Sequence, residues 1–234
     1  MPTLCAPEAL VREAVSFQAG QYRLEGELAY PEAAAPAGAV VLAGPHPLLG
    51  GSMDNNVVRA LAEGLARRGR ATLRFNYRGV GGSEGPPADT AAHLAEFWQT
   101  SHAPDELGLA ADLAAALAFL RDAVRAAPPA AVGYSFGCAL LPLALPDDAS
   151  TPLVLVAPTV GAHAYDAYEA VRAPKLVIAP QGDFAADEGK LRAWLERLPP
   201  PAEVARPRLD GHFFRGHEDW LAREVSAFLA AHGR

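Results

Sequence analysis

Two stretches of this sequence fit the pattern Gly-x-Ser-x-Gly: Gly133-Tyr134-Ser135-Phe136-Gly137 and Gly81-Gly82-Ser83-Glu84-Gly85. Between a strand and a helix, that pattern turns the backbone sharply, and the glycines remove Cβ atoms that would clash in the turn. The serine hydroxyl then stands at the C-terminal end of a strand. Beside it lies a helix N-terminus whose free N–H groups favour an anion. Such a serine is placed for nucleophilic attack on an acyl carbon. Context separates the two matches. Ala130-Ala131-Val132 reads as a short apolar strand entering the first, and Cys138-Ala139-Leu140-Leu141 opens a helix after it. The second lies in a glycine-rich run that ends in Pro86-Pro87, which does not continue as a helix. Ser135 is the expected nucleophile.

A serine hydroxyl attacks well only when a base takes its proton, and the base needs a carboxylate to fix its tautomer. Seven histidines are available. His212, in Leu209-Asp210-Gly211-His212-Phe213-Phe214, follows the last strand and precedes the final helix, where a chain order of serine, acid, histidine places the base. His217 lies too near that helix start and reads as a surface or capping residue; His163, His93 and His102 are pocket candidates, although such histidines are more often ordinary surface or packing positions. The acid belongs after the strand 175–179, where Asp183 stands in the loop. Asp187 is the rival, in a position that a helix N-cap also explains.

An oxyanion is stabilised by preorganised N–H donors. Phe136, the residue after the nucleophile, is one expected donor. The other should come from the loop Gly44-Pro45-His46-Pro47-Leu48-Leu49-Gly50-Gly51. Pro45 and Pro47 have no N–H, so Leu48 is the first choice and His46 the second. The same segment also reads as a simple tight glycine–proline turn. His46, Phe97, Trp98 and Phe213 are the candidates for lining a substrate pocket, although Phe97 and Trp98 would serve equally to anchor their segment to the core. No metal is expected: the grouping of His212, His217 and Glu218 matches no zinc spacing.

The elements that must position these residues follow from periodicity. Residues 15–17 and 24–30 alternate apolar and polar side chains around Ala19-Gly20-Gln21, which predicts an antiparallel hairpin after a loosely held segment 1–13. The continuous apolar run 39–43 predicts a strand covered on both faces, and 71–75, 130–132, 153–157 and 175–179 read as further strands. A last strand over 203–209 contains Pro207, which suits a sheet edge. Helices are predicted over 54–68, with Asp54 as N-cap and Gly69 as stop, and over 105–126, 187–198 and 217–231. Residues 86–104 are irregular, with room for a short helix, and read as an insertion near the C-terminal edge of the sheet. Alternating strands and helices imply an α/β domain spanning 1–234, with a mostly parallel twisted sheet, an N-terminal antiparallel hairpin and helices on both faces. Ligands bind such a sheet at the C-terminal strand ends, where every residue singled out above falls.

Composition narrows the function classes. The 234 residues are 50% hydrophobic and 20% charged, a globular balance, and the formal charge of −7 argues against a nucleic-acid surface. Two cysteines, Cys5 and Cys138, are too few for a disulfide framework. The start of the chain lacks the basic and apolar regions of a signal peptide, and no apolar run reaches the roughly 18 residues of a membrane span. The expectation is a cytoplasmic protein with no membrane partner.

Assembled, these stretches resemble the α/β-hydrolase superfamily, and within it the small cap-less bacterial serine hydrolases of the dienelactone-hydrolase-like group. The resemblance is carried by Pro45-His-Pro-Leu-Leu-Gly-Gly-Ser-Met-Asp-Asn55, Leu73-Arg-Phe-Asn-Tyr-Arg-Gly-Val-Gly-Gly-Ser83, Gly133-Tyr-Ser-Phe-Gly137 and Gly211-His-Phe-Phe214. It implies Ser135 as nucleophile, His212 as base, Asp183 as acid, and Leu48 with Phe136 as oxyanion donors. It also implies that the loop holding Ser83 is a structural turn. Two departures stand out: Pro180 replaces the usual glycine three residues before the acid, and 86–104 is longer than the usual connection. Dienelactone hydrolases proper use a cysteine, so the serine here speaks against that substrate. The expected activity is hydrolysis of a small or medium carboxylic ester through an acyl-enzyme, with no cofactor. Thioesterase, peptidase or amidase action on the same residues and a non-catalytic binding role are the alternatives. The 15 or so residues before 174 leave no room for a lid domain there.

Overall fold

The computed structural model of the chain describes residues 9–86, 90–100, 102–124, 128–145, 150–209 and 211–232. Eight strands form one sheet: β1 (Leu10–Ala19), β2 (Tyr22–Pro31), β3 (Ala39–Ala43), β4 (Ala71–Phe75), β5 (Ala130–Tyr134), β6 (Leu153–Val156), β7 (Lys175–Ile178) and β8 (Ala202–Ala205). Their spatial order is β1-β2-β4-β3-β5-β6-β7-β8. The β1–β2 and β2–β4 pairs are antiparallel and all the others are parallel. The hairpin predicted at the N-terminus is present and longer than expected. β1 starts at Leu10 because residues 10–14 pair with 27–31, a register that local alternation does not reveal. The expectations for residues 1–8, including Cys5, lie outside the described residues.

Among the described residues there are six helices: α1 (Asn56–Ala66), α2 (Thr90–Thr100), α3 (Ala110–Ala123), α4 (Gly137–Ala144), α5 (Glu188–Arg197) and α6 (Glu218–His232). Successive side chains of a strand point to opposite faces, and both faces here are apolar. Val41, Ala43, Ala131, Leu153, Leu155 and Val177 pack against α3, α4 and α5. Val40, Leu42, Val132, Val154, Val156 and Ile178 pack against α1 and α6. Strands β3, β4, β5, β6 and β7 are wholly buried; most of their residues are apolar or small, and the buried charges of Arg74 in β4 and Lys175 in β7 are met by Glu27 and Asp54 and by the Pro199 carbonyl. β8 pairs with β7 alone, and ends before Pro207, at the sheet edge.

Local details differ from the expected ones. The N-cap of α1 is Asn55, whose side chain accepts from the Val57 N–H, while Asp54 turns away to an ion pair with Arg74 at 2.6 Å. The long helix predicted from 105 begins only at Ala110. The residues before it, Glu106–Leu109, form a 3-10 turn that aims Glu106 inward. The insertion contains α2, which lies against a 3-10 turn at Pro47–Leu49 in the loop after β3. Between β6 and β7 the chain makes one 3-10 turn, Asp166–Glu169, and no lid domain. No helix among the described residues is long and apolar enough to cross a membrane.

Candidate active site

Ser135 sits between β5 and α4 with a φ of 57°, in the left-handed region that a serine rarely enters. The turn is tight enough that side chains on its glycines would collide. A Cβ on Gly137 would lie 2.3 Å from the Ala43 carbonyl oxygen, and one on Gly133 would lie 2.7 Å from the Cys138 nitrogen. The Ser135 N–H donates to the Val156 carbonyl at 2.9 Å, tying the strained residue to β6.

Asp183 and His212 converge on it from two separate loops. His212 Nε2 lies 2.8 Å from Ser135 Oγ, and His212 Nδ1 lies 2.9 and 3.0 Å from the two Asp183 carboxylate oxygens. All three residues are buried. Asp183 follows Gly182, whose φ of 74° turns the loop after β7, and its Oδ1 also accepts from the Ala185 N–H. Pro180 in that loop leaves the carboxylate in reach. Asp187 does something else: its Oδ1 accepts from the Lys190 N–H and caps α5. His212 follows Gly211, with φ of 90°, and its carbonyl accepts from the Tyr134 hydroxyl at 3.2 Å. His217 is exposed and precedes the first turn of α6.

Ser83, the other pattern match, is occupied by the fold. Its hydroxyl donates to the Asn76 carbonyl at 2.8 Å and accepts from the Glu25 N–H at 3.0 Å, pinning the loop after β4 to β2. Cys138, at the start of α4, is fully buried, and burial pushes its thiol far above the usual range. It stays a neutral packing group whose Sγ lies against the Gly133 and Val156 carbonyls.

The loop after β3 is arranged differently from expectation. The Leu48 N–H, expected to face an oxyanion, donates instead to His46 Nδ1 at 3.2 Å, because His46 caps the 3-10 turn with its own ring. The N–H groups of Phe136 and His46 have no partner among the described residues. The two residues are neighbours, with ring centroids 4.5 Å apart.

The pocket candidates separate. Phe97 reaches in from α2 to within 5.0 Å of the His46 ring, whereas Trp98 is 74% exposed and meets Phe97 edge-on. Phe213 stands edge-on to His212, and Phe184 packs on both. Phe184, exposed and next to Asp183, is a rim residue that the sequence pattern did not single out, and its adjacency to the acid was the available signal. His46 is buried and bonded, with Nε2 held by Glu106 at 3.1 Å.

Glu106 anchors a second group. Its carboxylate also accepts from the Ala103 N–H at 2.8 Å and lies 2.7 Å from His102 Nδ1 and 3.5 Å from His163 Nε2. Burial alone would raise its pKa, but the His46 ring, the Ala103 N–H and His102 outweigh it and hold the carboxyl at about 2. Burial lowers His163 to about 4, so its ring is neutral near pH 7. No sequence signal gathered these residues, which come from three separate loops.

Comparisons with known proteins agree with the fold. The family model described as alpha/beta hydrolase fold matches residues 46–158. An uncharacterized protein of Rickettsia prowazekii is 40% identical over 72 residues, which span 30% of this chain and 29% of that relative. An alpha-beta serine hydrolase homologue from Coxiella burnetii superposes with a TM-score of 0.73 at 26% identity, covering 93% of this chain and 97% of that one. A serine hydrolase without lid from Xanthomonas campestris gives 0.73 at 24% identity, covering 94% of each chain. A dienelactone hydrolase from Anabaena variabilis gives 0.74 at 22%, covering 96% and 99%. The eight-stranded order, the absence of a lid domain between β6 and β7 and these likenesses agree: the chain has the α/β-hydrolase fold.

Proposed function

We propose that this protein is a serine hydrolase that cleaves small or medium carboxylic esters through an acyl-enzyme. The observation that carries the proposal is the unbroken relay from Asp183 through His212 to Ser135, with links of 2.9 and 2.8 Å, ending on a serine held at positive φ. Ser135 Oγ attacks the ester carbonyl and its proton passes to His212 Nε2. The Asp183 carboxylate stabilises the imidazolium and keeps Nδ1 protonated, so that Nε2 faces the serine. Negative charge on the former carbonyl oxygen is met by the Phe136 N–H at the start of α4 and by the His46 N–H, which takes the place of Leu48 as second donor. His212 then returns the proton to the leaving oxygen, and the bond to the alcohol breaks. Water repeats the sequence on the acyl-enzyme and releases the acid.

Phe184 and Phe213 give an apolar rim beside His212, and Phe97 gives one beside His46, a setting for a short acyl or alkyl group. A fluorophosphonate probe tests the chemistry: it should label the wild type, and Ser135→Ala should not label. Equal labelling of both would refute the assignment. A panel of p-nitrophenyl esters of graded chain length, with thioester and aminoacyl substrates alongside, tests the substrate class, with turnover expected to favour the short and medium esters.

A further inference from the structure

We infer that the cluster on Glu106 is a binding site for one divalent transition-metal ion, ligated by His102 Nδ1, Glu106 Oε1 and His163 Nε2. These three residues offer ligand atoms that lie within 4.8 Å of one another. Glu106 divides its two oxygens between separate tasks. Oε2 is filled, accepting from the Ala103 N–H at 2.8 Å and facing His46 Nε2 at 3.1 Å. Oε1 faces the two remaining imidazoles, at 2.7 Å to His102 and 3.5 Å to His163.

His163 supplies the independent observation. Its side chain is only 5% exposed, and its Nε2 is the buried side-chain atom that has no hydrogen-bond partner among the described residues. A buried imidazole nitrogen left unpaired is destabilising unless something fills the gap. The ring is not free to turn away. Its Nδ1 is held by Thr159 Oγ1 at 2.9 Å, and that hydroxyl is itself within 3.2 Å of the Tyr165 hydroxyl. Such outer partners fix the tautomer and aim the other nitrogen at a metal, as the Ala103 N–H and His46 aim the carboxylate.

The separations suit a metal of the zinc type. Bonds of about 2.0–2.1 Å at tetrahedral angles put neighbouring ligand atoms about 3.3 Å apart. The pair His163–Glu106 is close to that already. His102, whose side chain is 53% exposed, is the ligand able to swing outward, giving up its present hydrogen bond to Oε1. Two imidazoles and one carboxylate select zinc, cobalt or nickel over magnesium and calcium, which prefer oxygen. The fourth position opens to a surface cavity of about 470 Å³ lined by His102, Val160, Ala162, His163, Tyr165 and Trp194. The site is separate from the Ser135 relay and does not depend on it, although the His163 ring lies 5.1 Å from that of Phe136.

Chelator-stripped protein titrated with Co²⁺ and followed by visible absorption tests the site. One equivalent should bind with the bands of a low-coordinate nitrogen–oxygen environment, and Zn²⁺ should displace it, whereas Mg²⁺ and Ca²⁺ should not. His163→Ala and His102→Ala should each weaken Co²⁺ binding by at least about tenfold. His102→Ala removes a half-exposed side chain and nothing from the core, so it tests the site even if His163→Ala fails to fold, which circular dichroism will show. Absence of the bands at millimolar Co²⁺, or wild-type affinity in a folded histidine variant, overturns the assignment.

Discussion

Replacing Asp183 by asparagine tests the proposed relay at the point where the sequence offered two carboxylates. The Asp183 oxygens stand 2.9 and 3.0 Å from His212 Nδ1, in a buried setting. When His212 takes the serine proton it becomes a cation beside that anion. Two unit charges about 4 Å apart at an effective dielectric of about 20 attract by about 4 kcal/mol. At 1.36 kcal/mol per tenfold, losing that attraction slows the step by about 10³-fold. The asparagine amide also lets the ring adopt the wrong tautomer, so the expected loss in kcat/KM on a p-nitrophenyl ester is about 10³- to 10⁴-fold. Binding of the ester does not use Asp183, so KM should stay within a few-fold. Asp187→Asn serves as the matched comparison. Asparagine caps helices about as well as aspartate, so that variant should keep its activity and lose under about 1 kcal/mol of stability. An Asp183→Asn enzyme within tenfold of wild type, or an inactive but folded Asp187→Asn enzyme, would refute the reasoning.

Three further outcomes follow from the same geometry. Gly137→Ala would drive a Cβ into the Ala43 carbonyl oxygen at 2.3 Å and the Gly44 carbonyl oxygen at 2.8 Å; a strain of about 1–3 kcal/mol should lower the melting temperature by about 2–12 °C and cut fluorophosphonate labelling. Ser83→Ala should leave that labelling intact while costing about 1–2 kcal/mol in a urea melt, because its two hydrogen bonds join the loop after β4 to β2. Glu106 has a folded pKa held down at about 2 against an ordinary 4.5, so its stabilisation is present above about pH 4.5 and is lost as pH falls through about 2. The metal-free wild type should therefore exceed Glu106→Gln by on the order of 3 kcal/mol at pH 6 in denaturant melts, with the gap closing below pH 4. A gap that does not change with pH would show that the carboxylate charge is not what stabilises the cluster.

Local sequence is enough to place most of the frame. The apolar runs of β3 and β6 read as strands because a sheet covered on both faces needs mostly apolar side chains, while β4 and β7 fit the same pattern with one buried cation each, Arg74 and Lys175. Ser135, Asp183 and His212 could be nominated from chain order, since each follows a strand that ends at the same edge of the sheet. The same local reasoning went astray wherever two neighbours could do one task. Asn55 and Asp54 both suit an N-cap, and the choice fell to Asn55 because Arg74 claims Asp54 from an adjacent strand. Leu48 was the expected donor because the prolines lack an N–H. His46, with a ring that reaches its own next turn, took that N–H and left its own.

The succession of elements and the chemical types at their ends belong to the sequence alone, because hydrophobic periodicity and turn chemistry act between near neighbours. Which of those ends meet is settled by packing. Asp183 and His212 are 29 residues apart and Ser135 and His212 are 77, yet the relay depends on tenths of an ångström set by how β5, β7 and the loop before α6 align. The grouping of His46, His102, Glu106 and His163 is more extreme. Apart from the four-residue step from His102 to Glu106 it has no spacing to read, and it exists because a 3-10 turn aims Glu106 toward the loops that carry His46 and His163. Long-range distances are a property of packing, and no window of sequence contains them.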